Sequence, residues 1–97
     1  MVPLKVFNPV AKPVQTRITP APRLTDLNGK RIGLYWNIKA GGDVALEHTR
    51  ALLEKRFPGA RFSFYPGDVG FMIRHMTPRL ADRIAREVDA VIGTTSD

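Results

Sequence analysis

The sequence predicts an α/β fold, in which a short and mostly parallel sheet alternates with helices and follows an extended, proline-rich N-terminal arm. Three short apolar runs have the length of strands, and two longer segments with helical periodicity separate them. Five of the eight prolines fall within residues 1–22, so composition changes sharply where the arm ends. The order strand, helix, strand, helix, strand is typical of parallel sheets with right-handed crossovers.

The predicted arm covers residues 1–26, and a single α/β domain covers residues 27–97. Proline has a fixed φ and no N–H, which favours extended backbone over helix in the arm. Residues 4–7 have the composition of a short edge strand. An ordered arm of this kind needs a surface to lie on, and we expect part of it to cross the interface of a homo-oligomer.

The first strand and helix are expected between residues 31 and 57. "RIGLYW" reads as a buried strand and "NIKAGGD" as a loop, and the carboxylate of Asp43 is expected to cap the helix that follows. Pro58 and Gly59 end this helix near Phe57. Its apolar positions recur at helical spacing and are Ala45, Leu46, Thr49, Leu52, Leu53 and Phe57.

The second half of the domain repeats this alternation. "ARFSFY" predicts a strand with Phe62 and Phe64 on one face. Thr77 is the predicted cap of the second helix, and Pro78 suits the first helical position, where no N–H is needed. The apolar stripe of this helix consists of Leu80, Ile84 and Val88. "DAVIG" predicts the third strand.

The whole pattern resembles one half of a doubly wound fold, a three-layer Rossmann-like half-fold. Such a half leaves an open sheet edge and an exposed face. We therefore expect the sheet edge, together with the arm, to mediate homo-oligomerisation.

Composition excludes several classes of function. The chain has no cysteine, which rules out disulfides, thiolate metal sites and a cysteine nucleophile within these residues. No apolar run approaches the roughly 18–20 residues of a membrane span. Pro3, Pro9 and Pro13 interrupt the N-terminal apolar stretches, so no signal-peptide core is present and a cytoplasmic location is expected. No motif predicts a metal or a cofactor.

The net charge of +6 raises the possibility of nucleic-acid binding. Residues 1–23 carry four basic residues and no acid, whereas residues 24–97 carry the other eleven basic and all nine acidic residues, a balance of +2. The excess charge therefore lies in the arm, which would grip phosphates without sequence preference. A soluble arm that lacks acids is the preferred interpretation, and a nucleic-acid-associated protein remains an alternative.

Ligands of open parallel sheets bind beyond the carboxyl ends of the strands. After the first strand, Asn37, Lys39, Gly41 and Gly42 combine a cation, close backbone approach and a helix N-terminus, which would suit a phosphate or carboxylate. The pattern matches neither the dinucleotide-binding nor the P-loop motif. A small anion- or nucleotide-binding module is thus an alternative function, beside an ordinary strand-to-helix loop.

After the third strand, Thr94, Thr95 and Asp97 bring hydroxyls and a carboxylate to the same edge. No partnered base accompanies them, so no catalytic residue is assigned. Asp68 reads as a turn residue and His75 as a solvated loop histidine.

A basic stripe is also present on the second helix. It consists of Arg79, Arg83 and Arg86, with Arg74 before the helix. The acids Asp82, Glu87 and Asp89 are interleaved with it, which favours a solvated helix face.

The stretch "LTDLNGKRIGLYWNIKAGGDVALEHTRALLEKRF" resembles the opening unit of the UGSC family, whose members carry a selenocysteine-Gly-Ser-Cys motif or a cysteine version of it. The strand positions that match are Leu27, Gly29, Lys30, Ile32, Gly33 and Leu34. Asn37 and Lys39 match the loop, and "AVIGTTSD" matches the approach to the motif at Gly93, Thr94 and Asp97.

This resemblance implies that the reactive selenocysteine, encoded by UGA, would follow Asp97 directly. It further implies selenol or thiol redox or nucleophilic chemistry in a longer protein, of which these residues would be the catalytically silent N-terminal half.

Overall fold

Among the residues that the structure describes, three parallel strands and two helices form the folded part of the chain. The computed structural model describes residues 2–14, 16–67 and 76–95. The elements are β1 (Arg31–Trp36), α1 (Gly42–Arg56), β2 (Arg61–Pro66), α2 (Pro78–Glu87) and β3 (Ala90–Thr94). The predicted alternation of strands and helices is confirmed.

β1 lies in the centre of the sheet, whose strand order is β2-β1-β3. Both pairings are parallel, as predicted, with Arg31 opposite Arg61 at one end and Trp36 opposite Pro66 and Thr94 at the other. The carboxyl ends of all three strands therefore meet at one edge, and the segments that follow β1 and β3 leave the sheet side by side.

The two helices pack on opposite faces of the sheet. Successive residues of a strand point to opposite sides, so alternate residues of β1 contact different helices. On the first face, hereafter the α1 face, Leu46 packs with Ile32 and Leu34 of β1. The other face is hereafter the α2 face, and its buried residues are Tyr35, Tyr65, Leu80, Ile84 and Val88. The predicted stripe of α2 is thus confirmed.

The start of α1 differs from the prediction. Gly41, and not Asp43, is the N-cap, with a φ of 92°, and no side chain of the described residues caps the helix. Asp43 lies within the first turn, where a negative charge complements the helix dipole. The expected apolar stripe is also partly wrong, since Leu46 is buried while Leu52 is 56% exposed. The helix ends at Arg56, close to the predicted end.

α2 begins as the sequence predicts. The hydroxyl of Thr77 accepts a hydrogen bond from the backbone N–H of Leu80 at 3.2 Å, and Pro78 is the first helical residue. A single apolar stripe of three side chains then fixes the rotation of the helix on the sheet.

The amino-terminal edge of the sheet is closed by a contact between β1 and the residue before β3. The Asp89 carboxylate accepts the backbone N–H of Arg31 at 2.9 Å, and the Arg31 guanidinium lies 3.4 Å from the same carboxylate. The backbone hydrogen bond, followed by the guanidinium, lowers the pKa of Asp89. This contact ties the two strands together at the edge opposite the loops.

Residues 2–14 and 16–26 are exposed and contain no helix or strand. The short edge strand expected at residues 4–7 is therefore wrong. The apolar side chains of this segment are solvent-exposed, Phe7 completely so. No helix in the described residues is long and apolar enough to cross a membrane.

Candidate functional site

The segments after β1 and β3 meet at the carboxyl edge of the sheet. β1 ends at Trp36, which lies opposite Thr94, the last residue of β3. The loop from residue 37 to residue 41 then leads directly into α1. Of the residues singled out in the sequence, the structure thus gathers Asn37, Lys39, Gly41, Gly42 and Thr94 around one edge.

Hydrogen bonds within the chain hold this loop in one conformation. The indole Nε1 of Trp36 donates to the carbonyl of Lys39 at 2.7 Å, and the N–H of Gly42 donates to the same carbonyl at 3.3 Å. The side-chain oxygen of Asn37 accepts the N–H of Lys39 at 3.3 Å. Asn37 therefore shapes the backbone of the loop.

Ile38 has a φ of 67°, in the left-handed region that a β-branched residue rarely adopts. The carbonyl of Lys39 on one side and the side chain of Asn37 on the other fix the backbone around it. Strained backbone of this kind is maintained only where the surroundings determine it, and it is enriched at functional sites.

Gly42 is where the loop touches β3. The Thr94 hydroxyl donates to the carbonyl of Gly42 at 3.2 Å. A Cβ atom on Gly42 would lie 2.9 Å from both Thr94 Oγ1 and Trp36 Cδ1, closer than real Cβ contacts. Only glycine fits at this position without displacing a neighbour, so the start of α1 is seated directly on the end of β3.

Trp36 was not among the residues predicted for the site. Its ring is half-buried and lies at a tilted angle to Phe64, with ring centroids 6.1 Å apart. Its carbonyl accepts the N–H of Gly67 at 2.8 Å, which brings the end of β2 to the same edge. The signal that was available is the single tryptophan of the chain at the last position of a predicted strand.

The electrostatics of the loop are mixed. Lys39 supplies a cation, and the first turn of α1 has no side-chain cap on its N–H groups. Asp43 brings a carboxylate into the same turn. An anion would meet a partial positive charge and one ammonium group but also this carboxylate, so strong binding of a free anion by these residues alone is not expected.

The remaining predicted positions contribute less. Thr95 is exposed beyond the end of β3, and Asp97 lies outside the described residues, as do Asp68 and His75. His48 is exposed on α1. In the described part of the chain, no group of three or more His, Asp or Glu side chains could hold a metal ion.

A second polar cluster joins the α2 face to solvent. The hydroxyl of Tyr65 donates to the carboxylate of Glu87 at 2.6 Å, and Nε of Arg83 donates to the same carboxylate at 3.1 Å. The hydrogen bond from Tyr65, followed by that from Arg83, lowers the pKa of Glu87. The hydrogen bond to Glu87, followed by burial, raises the pKa of Tyr65.

Comparison with known proteins places this chain in a family. No curated protein and no solved structure matched it. A family model described as the UGSC family matches residues 5–97, which include both helices, all three strands and the loop after β1. Since the match covers all but the first four residues, the chain belongs to the UGSC family.

Proposed function

We propose that this chain is the N-terminal framework of a UGSC-family protein that carries out selenol or thiol chemistry, and that it has no such activity by itself. The observation that carries the proposal is the family match together with the contact between Thr94 and Gly42. The family is defined by a selenocysteine- or cysteine-containing motif, and the 97 residues contain no cysteine. On this proposal, the reactive group would belong to residues beyond Asp97.

The carboxyl edge of the sheet is well suited to such a group. A residue that follows β3 by a few positions is close in sequence to Thr94. The Thr94 hydroxyl donates a hydrogen bond to the carbonyl of Gly42, the first residue of α1. A thiolate or selenolate near a helix N-terminus is stabilised by the helix dipole, and a nearby lysine adds to the effect. The uncapped first turn of α1 and Lys39 are the groups that would supply this stabilisation.

The coding sequence provides the simplest test. A UGA codon directly after codon 97, followed in frame by codons for Gly, Ser and Cys, would support the proposal. Any other codon at that position except a cysteine codon, or an unrelated continuation, would rule it out.

The longer protein, with cysteine in place of selenocysteine, allows a test of the chemistry. We expect its first motif cysteine to react with iodoacetamide with an apparent pKa below the usual value of about 8.5. Lys39→Ala should raise that apparent pKa, whereas Lys55→Ala, at the far end of α1, should leave it unchanged. An ordinary thiol pKa in the unmodified protein, or equal effects of the two substitutions, would contradict the proposed role of the loop.

Anion or nucleotide binding by the loop is a second candidate function: the first turn of α1, which no described side chain caps, favours it, although the Asp43 carboxylate would weaken it. Titration of the 97-residue chain with a nucleotide, followed by calorimetry, tests it against Lys39→Ala. Binding that the substitution weakens would support this candidate. Absent binding, or equal binding by both proteins, would remove it.

We also propose that the arm mediates self-association. Its support is a set of large apolar side chains that are at least 73% exposed: Val2, Leu4, Val6, Phe7, Val10, Val14 and Ile18. Packing these side chains against a second copy of the chain would remove their apolar surface from water. Sedimentation of the chain with and without residues 1–23 tests this, since only the longer form should associate. Equal molar masses for the two forms would exclude the arm as the contact.

A further inference from the structure

A shallow cleft along α2 is lined by three arginines. Its volume is about 270 Å³, and its lining residues are Arg79, Leu80, Arg83 and Arg86. The arginines are spaced four and three residues apart, which places them in one narrow stripe on the helix. The sequence favoured an ordinary solvated face here because acids are interleaved, but no acid lines the cleft among the described residues.

The charge at the N-terminal end of α2 is unfavourable unless something negative binds there. The first turn of the helix contains Arg79 and no acidic residue, although the N-terminal end of a helix favours negative charge. Like charges at spacings of three and four residues also repel each other. Arg79, at the start of the helix and one turn from Arg83, is placed against both rules, and an anionic ligand beside it would reverse the balance.

Arg83 is held in place for such a role. Its Nε donates to Glu87 at 3.1 Å, and its guanidinium lies over the ring of Tyr65, 5.6 Å from the centroid. Glu87 is itself fixed by the Tyr65 hydroxyl. The terminal nitrogens of Arg83 make no hydrogen bond to a described residue, so these contacts orient a guanidinium edge without using its terminal N–H groups.

Arg79 and Arg86 flank this fixed guanidinium. Neither forms an ion pair with any residue in the described ranges, unlike Arg50 of α1, which pairs with both Glu47 and Glu54. The two helices therefore differ: Arg50 of α1 is neutralised by two acids of its own helix, whereas Arg79 and Arg86 of α2 form no ion pair among the described residues.

We propose that the three-arginine cleft of α2 binds a small, multiply charged oxyanion of the phosphate class, either free phosphate or the phosphate group of a small metabolite. Guanidinium groups match phosphate oxygens with paired N–H donors, and several of them can bind one dianion. Leu80 forms an apolar floor to the cleft. The site lies on α2 and does not depend on the function proposed for the loop after β1.

Titration with inorganic phosphate, followed by backbone amide NMR shifts, tests this inference. Chloride at matched ionic strength separates specific binding from general screening. Residues 79–87 should shift and saturate with phosphate but not with chloride. A parallel titration uses a phosphorylated small molecule such as glucose 6-phosphate. Whichever of the two binds more tightly shows whether the site prefers free phosphate or a phosphate monoester.

Two double variants with the same loss of charge provide the control. Arg79→Gln with Arg86→Gln should weaken phosphate binding by on the order of tenfold or more, since charge-assisted hydrogen bonds are lost. Lys55→Gln with Arg61→Gln removes two exposed charges elsewhere and should leave the affinity within about twofold. Circular dichroism of both variants checks that the fold is kept.

Three results would overturn the inference. These are shifts that follow ionic strength alone, equal weakening by the two double variants, and binding of a single-stranded oligonucleotide but of neither phosphate probe. The last result would assign the arginines to a nucleic-acid backbone. A fourth result, shifts confined to residues 37–43, would place the site in the loop and not on α2.

Discussion

The two faces of the sheet are built on different principles. On the α1 face, Ile32, Leu34 and Leu46 pack as an apolar cluster, and the helix starts where a glycine touches β3. On the α2 face, the buried cluster includes two tyrosines, one of which is hydrogen-bonded to Glu87. The first face is fixed mainly by shape, and the second combines apolar packing with a polar connection to solvent.

This difference shows how one strand serves two purposes. The alternate residues of β1 supply branched apolar side chains to the α1 face and Tyr35 to the α2 face. Close packing fixes the position of the loop that leads into α1, so the loop tolerates little change in the volume of its side chains. The surface of α2 is set by hydrogen bonds and charges, so it should respond to pH and to ions.

Leu46→Ala should produce the largest loss of stability among the changes considered. Leu46 is only 1% exposed, and removing most of its side chain leaves a cavity against β1. The expected cost is about 3 kcal/mol in the free energy of unfolding, measured by urea denaturation at pH 7. Leu52→Ala on the same helix, at a position 56% exposed, should cost well under about 1 kcal/mol. Similar losses in both variants would mean that Leu46 does not seat the helix.

Gly42→Ala tests the close approach directly. The added Cβ would lie 2.9 Å from Thr94 Oγ1 and Trp36 Cδ1, and we expect a loss of about 2 kcal/mol in the same assay. Gly93→Ala is the matched control, because among the described residues its Cβ would meet only Tyr35 Cδ1, at an ordinary 3.6 Å. Its effect should stay within about 1 kcal/mol of zero. Stabilisation by Gly42→Ala would contradict the contact between α1 and β3.

Tyr65→Phe removes the polar connection of the α2 face while keeping its shape. The loss of the hydroxyl should cost about 1 kcal/mol of unfolding free energy. Combining it with Glu87→Ala in a double-mutant cycle should show that the two effects are not additive, since both remove the same hydrogen bond. Additive effects would indicate that the two side chains do not interact in solution.

The smallest expected effect is a pH dependence from Asp89. The pKa of Asp89 is lowered in the folded chain, so its ionised carboxylate stabilises the fold at pH values above the usual pKa near 3.8. This stabilisation is lost as the pH falls below that value. Asp89→Asn should therefore make the decline in urea midpoint between pH 5 and pH 2.5 shallower. Asp82→Asn, on exposed α2 surface, should leave the slope as it is. Parallel curves for the natural chain and Asp89→Asn would exclude this role.

Most of the elements followed from local sequence signals. Thr77 and Pro78 specify the start of α2 by themselves, because the cap requires only residues three positions apart. The strands and the apolar stripe of α2 likewise reflect periodicity within short segments. At these positions the structure agreed with the prediction, whereas the edge strand expected at residues 4–7 did not form.

The errors arise where distant residues decide. Asp43 has the right chemistry for a cap, but the contact of Gly42 with Thr94, 52 positions later, shifts the start of α1. Leu52 has helical spacing, yet the sheet covers a narrower face of α1 than the pattern implied. The role of Trp36 also depends on the loop folding back over its indole. Such contacts leave no periodic trace in the sequence.

The central position of β1 has a consequence for biosynthesis. The strand that both others pair with is made first, and β3 begins only at Ala90. At about 5–20 residues per second, the ribosome needs on the order of seconds to supply that second partner. During this interval Ile32 and Leu34, at 1% and 3% exposure in the folded domain, have only part of their final environment. β1, one of the most buried strands of the finished domain, is thus the strand that spends the longest time without all of its pairing partners during synthesis.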